Sequence, residues 1–191
     1  MPMPATSTEN GKNNNRYGVN ASGNGYLWHK VDPRFDVSAN PLEPNLFGWV
    51  VEIDPYDPRS LPVKRTAMGR IKHENAAQTL AKDQRVVVYM GDDQANDYIY
   101  KFVTTGRYIA GDAVNNRNLL DSGTLYVARF NADGSGEWLP LVAGQNGLTA
   151  DKGFASQGDV VIKARMAADV MGATKMDRPE WIAVHSHKPG E

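Results

Sequence analysis

The hydrophobic positions of this chain come in short bursts cut apart by turn-forming residues. Phe47-Gly48-Trp49-Val50-Val51-Glu52-Ile53 is aromatic and β-branched, and Asp54-Pro55-Tyr56-Asp57-Pro58 stops it. Runs of this length, bounded by Pro, Gly and Asp, predict strands. Arg85-Val86-Val87-Val88-Tyr89-Met90 is the clearest run and closes on Gly91-Asp92-Asp93. Tyr98-Ile99-Tyr100-Lys101-Phe102-Val103 follows after a short acidic loop, which predicts a hairpin. A second hairpin is predicted where residues 123–130 and 136–141 flank Asn131-Ala132-Asp133-Gly134-Ser135. Tyr26-Leu27-Trp28-His29-Lys30-Val31 predicts an earlier strand, and Trp181-Ile182-Ala183-Val184-His185 a last one. One segment has a different period. Across residues 158–171, Val161, Ala164, Arg165 and Ala168 recur at helical spacing, and Gly172 follows as a stop.

Short strands in hairpin pairs with one inserted α-helix predict a mainly β fold, a propeller or sandwich in preference to a parallel α/β sheet. Residues 1–25 are rich in Asn, Gly, Ser and Thr and read as a flexible lead-in, leaving 26–191 as the β domain. Trp28, Trp49, Trp138 and Trp181 are expected to pack in the core or between blades. Pro189-Gly190-Glu191 resembles a turn that opens another strand, so the chain is expected to be cut within a blade.

Charge changes the picture by exclusion. The 21 basic and 22 acidic residues leave a formal net charge of −1, which gives nucleic-acid phosphates nothing to follow. No apolar run approaches the ~20 residues of a membrane span. The N-terminus shows neither an apolar signal core nor a twin-arginine pair, so this chain by itself is expected to carry no export signal. With no cysteine, the metal donors on offer are carboxylates and four histidines.

Three clusters place charge at turns. In Gly69-Arg70-Ile71-Lys72-His73-Glu74-Asn75, the His-Glu pair invites a zinc-protease reading, which fails because Ala77 stands where the second histidine is required. The bland alternative for Glu74 is a solvated loop carboxylate. Asp92, Asp93 and Asp97 crowd one turn and repel unless a cation screens them; hard oxygens of this kind suit Ca²⁺, and a solvated hairpin loop is the plain alternative. In Asp177-Arg178-Pro179-Glu180-Trp181, Pro179 is expected to hold Arg178 extended, so that Arg178 and Glu180 face one side. A guanidinium there could clamp a phosphate beside a metal-holding carboxylate, with a surface ion pair as the alternative. The segment 133–137 mimics part of a calcium loop and reads as a hairpin turn; His29, His185 and His187 have no partner pattern.

Taken in order, the 47–55 run, 69–74, Tyr89-Met90-Gly91-Asp92-Asp93, the 98–103 run and 177–181 resemble the middle of the PhoX-type alkaline phosphatases, over residues 16–191. The resemblance implies antiparallel β-propeller blades, here a partial propeller. It also implies export to the periplasm or beyond for the parent protein, and hydrolysis of phosphate monoesters at a cluster of Ca²⁺ and Fe³⁺. Carried over, Glu74, Asp93 and Glu180 match metal ligands and Arg178 a phosphate-binding arginine. The family's iron also takes a cysteine from upstream sequence, which this chain lacks, so the isolated chain is expected to be inactive. Its exposed strand edges are expected to meet missing blades or another copy. The rival expectation is a non-catalytic β-domain that binds calcium or a partner.

Overall fold

The computed structural model describes residues 9–20 and 25–185. They fall into two compact units, residues 1–48 and 49–191. In the first, helix α1 (Glu9–Arg16) lies within the predicted lead-in. The expected strand at 26–31 does not form. Its middle is a single 3-10 turn, Trp28–Lys30, and further such turns follow at Pro33–Phe35 and Glu43–Leu46. Residues 26–31 are all exposed, so the run buries no face that would hold it in a sheet, and Asp32-Pro33 ends it. Arg34 instead lies over the rings of Phe35 and Phe47 and pairs with Glu43.

The second unit is mainly antiparallel β. Strands β1 (Val51–Glu52) and β2 (Val63–Lys64) make a two-stranded ribbon. A five-stranded sheet then runs in the order β3 (Ala77–Leu80), β4 (Arg85–Gly91), β6 (Ile99–Arg107), β7 (Gly123–Phe130), β8 (Gly136–Pro140). Both predicted hairpins are present: β4 pairs with β6, and β7 with β8 through the 131–135 turn, which Asp133 closes by accepting from Ser135. Between β4 and β6, β5 (Ala95–Asp97) leaves the sheet to pair with β9 (Met176–Asp177).

Register makes the core. Val88 faces Phe102, which faces Leu125; Met90 faces Tyr100, which faces Val127, which faces Leu139. All seven are buried, and successive positions point to opposite sides of a strand, so they form one apolar face. Each fully buried large side chain contributes about 1.5–3 kcal/mol over leaving it in water. The other face carries Lys101 between the rings of Tyr126 and Trp138, with Tyr89 against Trp138.

The expected helix covers the apolar face, in two pieces. After the short helix α2 (Ala113–Asn116) between β6 and β7, α3 (Gln157–Ile162) starts from a capping box between Ser156 and Asp159, and α4 (Ala164–Met171) ends where Gly172 turns left-handed. The break at Lys163 has a cause: Arg70 takes the carbonyls at the end of α3, its backbone N–H donating to Val161 O and its guanidinium to Ile162 O. Ala164, Ala167 and Ala168 then lie against the sheet, where small side chains permit close approach. Two other expectations are corrected. Residues 181–185 form no strand, and Trp28 and Trp181 are 63% and 75% exposed, not packed. Among the described residues no helix is long and apolar enough to cross a membrane.

Candidate active site

Residues 72–74 run antiparallel beside the end of β4. The Lys72 N–H donates to the Asp92 carboxylate at 3.0 Å, Asp93 N–H to Lys72 O at 3.0 Å, and Glu74 N–H to Gly91 O at 3.3 Å. His73 bridges to Asp92 through backbone and donates from Nε2 to Gly69 O at 2.9 Å. Burial pushes its imidazole below the ordinary histidine range. This ladder leaves the Glu74 side chain exposed at the end of the sheet.

The second strip arrives through β9. Ala95 faces Asp177, so the next residue, Arg178, emerges beside the 91–93 turn. Its guanidinium donates in bidentate fashion to Asp93, Nε to Oδ1 and a terminal nitrogen to Oδ2, both at 2.9 Å. Glu180 stands 3.7 Å from the same guanidinium. Hydrogen bonding to Asp93 raises the already high pKa of Arg178 and keeps it charged. The expected backbone here is corrected: Arg178 is not extended but has φ +54°. A non-glycine residue in that region costs on the order of 1–3 kcal/mol and persists where its surroundings fix it. Here the Asp93 fork on one side and buried Pro179 on the other do so.

Pro179 and Glu180 lie hard against β4. A Cβ on Gly91 would fall 2.3 Å from Pro179 O and 2.4 Å from Glu180 O, so only glycine admits them. One step further, the Asn75 side chain donates to Ile182 O at 2.7 Å and accepts from Ile182 N–H at 3.2 Å. Glu74 and Glu180 thus leave backbone segments that both abut Gly91, while Asp93 and Arg178 are in direct contact.

For the acidic turn the sequence leaves a bound cation and a solvated loop both open, and the fold supplies a charge of its own. Asp92 is fully buried, and the cation beside it is Arg165, at 2.7 and 2.5 Å from its two oxygens and 3.7 Å from Asp97. Arg165 lies on the inward stripe of α4, and no role was read for it from the sequence. The signal was there: a charge among Val161, Ala164 and Ala168 on an apolar face demands a buried partner. Spacing alone marks neither Gly91 nor Asn75, because close approach and side-chain bonding across 107 positions are invisible to it.

Among the described residues, no three His, Asp or Glu side chains close into a metal cage. Glu180 is exposed beside Arg178, Glu74 is exposed on the segment that abuts Gly91, and neither carboxylate accepts a hydrogen bond from the described residues. Such donors fit a hard cation.

A mainly β fold thus brings Arg178, Asp93 and Glu180 together at one end of the sheet. The chain matches the family described as alkaline phosphatase PhoX over residues 5–191, and it belongs to that family. It is similar to the solved structure of Pseudomonas fluorescens PhoX in complex with vanadate, a transition state analogue, at 51% identity and a TM-score of 0.91. That similarity covers 99% of this chain and 34% of the Pseudomonas chain, so this chain spans about a third of its relative. No curated protein matches it.

Proposed function

We propose that this chain supplies the arginine and carboxylate part of the active centre of a calcium- and iron-dependent phosphatase acting on phosphate monoesters outside the cytoplasm. The observation that carries this reading is the bidentate Arg178–Asp93 pair with Glu180 beside it, in a family member similar to a vanadate-bound phosphatase. A planar guanidinium that matches two carboxylate oxygens matches two phosphate oxygens equally well. Arg178 would therefore leave Asp93 for the substrate, and Asp93, with Glu74 and Glu180, would turn to the metal. Bound calcium and iron would supply Lewis-acid neutralisation of the phosphoryl charge. In the absence of substrate, Asp93 holds the guanidinium charged and aimed, so little reorganisation remains when phosphate arrives. The antiparallel meander β3-β4-β6-β7-β8, interrupted only where β5 leaves to pair with β9, supports reading it as one propeller blade.

The test is hydrolysis of p-nitrophenyl phosphate with Ca²⁺ and iron supplied, with residues 5–191 grafted into the Pseudomonas relative in place of its matching third. Arg178→Ala, Glu74→Gln and Glu180→Gln should each lower kcat/KM by about 100-fold, the scale of losing one transition-state donor or ligand. Wild-type rates in all three would overturn the assignment. Calcium binding without any hydrolysis would favour a calcium-binding β-domain instead. The 191-residue chain alone is expected to fall far below the ~10 s⁻¹ typical of enzymes.

A further inference from the structure

Glu74 and Glu180 are 106 positions apart and exposed, yet the chain segments that carry them are tied together at two points. The first is Gly91, whose missing Cβ makes room for the carbonyls of Pro179 and Glu180. The second lies on the far side of Glu180, where the amide of Asn75 serves both the N–H and the C=O of Ile182. That is the pattern a neighbouring strand would offer one residue, supplied here by a side chain. It falls where 181–185 form no strand.

We propose that Asn75 is a positioning residue: its amide ties the Glu180 segment to the Glu74 loop and sets the spacing between the two carboxylates. This rests on reading both as metal ligands of one site. Asn75 follows Glu74 directly, and Ile182 is two residues beyond Glu180, so the clamp acts within one or two residues of each carboxylate. Gly91 limits how closely the 179–180 backbone approaches, and Asn75 stops the following residues from swinging away. Two neutral hydrogen bonds contribute too little to decide whether the sheet folds, but they suffice to order a short extended segment. Residues that orient ligands in this way, without touching the metal, typically change metal affinity 10–100-fold when removed.

The test uses the full chain and Ca²⁺ alone, titrated calorimetrically. Asn75→Ala should raise the Ca²⁺ Kd about 10–100-fold and speed amide exchange at Ile182. Asn131→Ala, which removes a hydrogen bond from the distant β7–β8 turn, should leave Kd unchanged. If melting shows that Asn75→Ala loosens the sheet, Asn75→Ser, polar but too short to reach both groups, is expected to give the same rise with the sheet intact. Faster exchange at Ile182 with an unchanged Kd would overturn the inference and leave Asn75 as structural only. If Glu74→Gln and Glu180→Gln also leave Kd unchanged, the metal-site reading falls as well.

Discussion

Arg178 shows how much one residue's conformation can carry. Its left-handed backbone, the fork to Asp93 and the contact with Glu180 all serve to aim one guanidinium. Arg178→Lys keeps the charge and loses the fork, so in the grafted enzyme kcat/KM should fall by about 100-fold. Stability should move by less than ~1 kcal/mol, because the Arg178 side chain is exposed to solvent. Parallel kinetics and thermal melts check both. Asp133 offers a contrast far from the site. Hydrogen bonds from the Ser135 hydroxyl and N–H hold its carboxyl below the ordinary 3.8. A lowered folded pKa contributes stability that is present above 3.8 and lost as pH falls through the folded value. Melts of Asp133→Asn should therefore lie below wild type at neutral pH and converge with it in acid.

The decisive joints between elements are a glycine and a buried ion pair. Gly91→Ala drives a methyl into two backbone carbonyls that cannot yield as a flexible side chain would. It should cost at least ~1–3 kcal/mol, read from the urea midpoint, and should displace Glu180. Arg165→Leu strips the counter-ion from fully buried Asp92 and should cost about 3–5 kcal/mol, while Asp92→Asn in the same chain should restore part of it. These elements also mark what was legible in the sequence. β4, β6, β7 and β8 were readable because alternation and turn residues coincide with their bounds, and Gly172 ended the helix where expected. The helix break was not readable, since it depends on Arg70 arriving from 92 positions away. Nor was the loss of the first and last strands: Tyr26 to Val31 and Trp181 to His185 have strand composition, but among the described residues neither joins a sheet, and Ile182 bonds instead to the Asn75 side chain. Of the site, the residue types and their order were legible as a family pattern, and the Asp93–Arg178 pairing needed the fold.

In the second unit as a whole, near and distant contacts divide cleanly. The central sheet grows by pairing sequence neighbours, β4 with β6, β6 with β7 and β7 with β8. The candidate site depends on links of 85 positions, Asp93 to Arg178, and 107, Asn75 to Ile182. Long loops close late, because their entropy is lost before any contact repays it. In stopped-flow unfolding, Leu125→Ala should slow folding, whereas Asn75→Ala should mainly speed unfolding and leave the folding arm unchanged. There is a consequence for synthesis. At ~5–20 residues per second, the ribosome delivers Arg178 some seconds after β8, by which time the sheet is available as a template. Until then Asp93 stands at the end of a formed sheet with its arginine partner still to come.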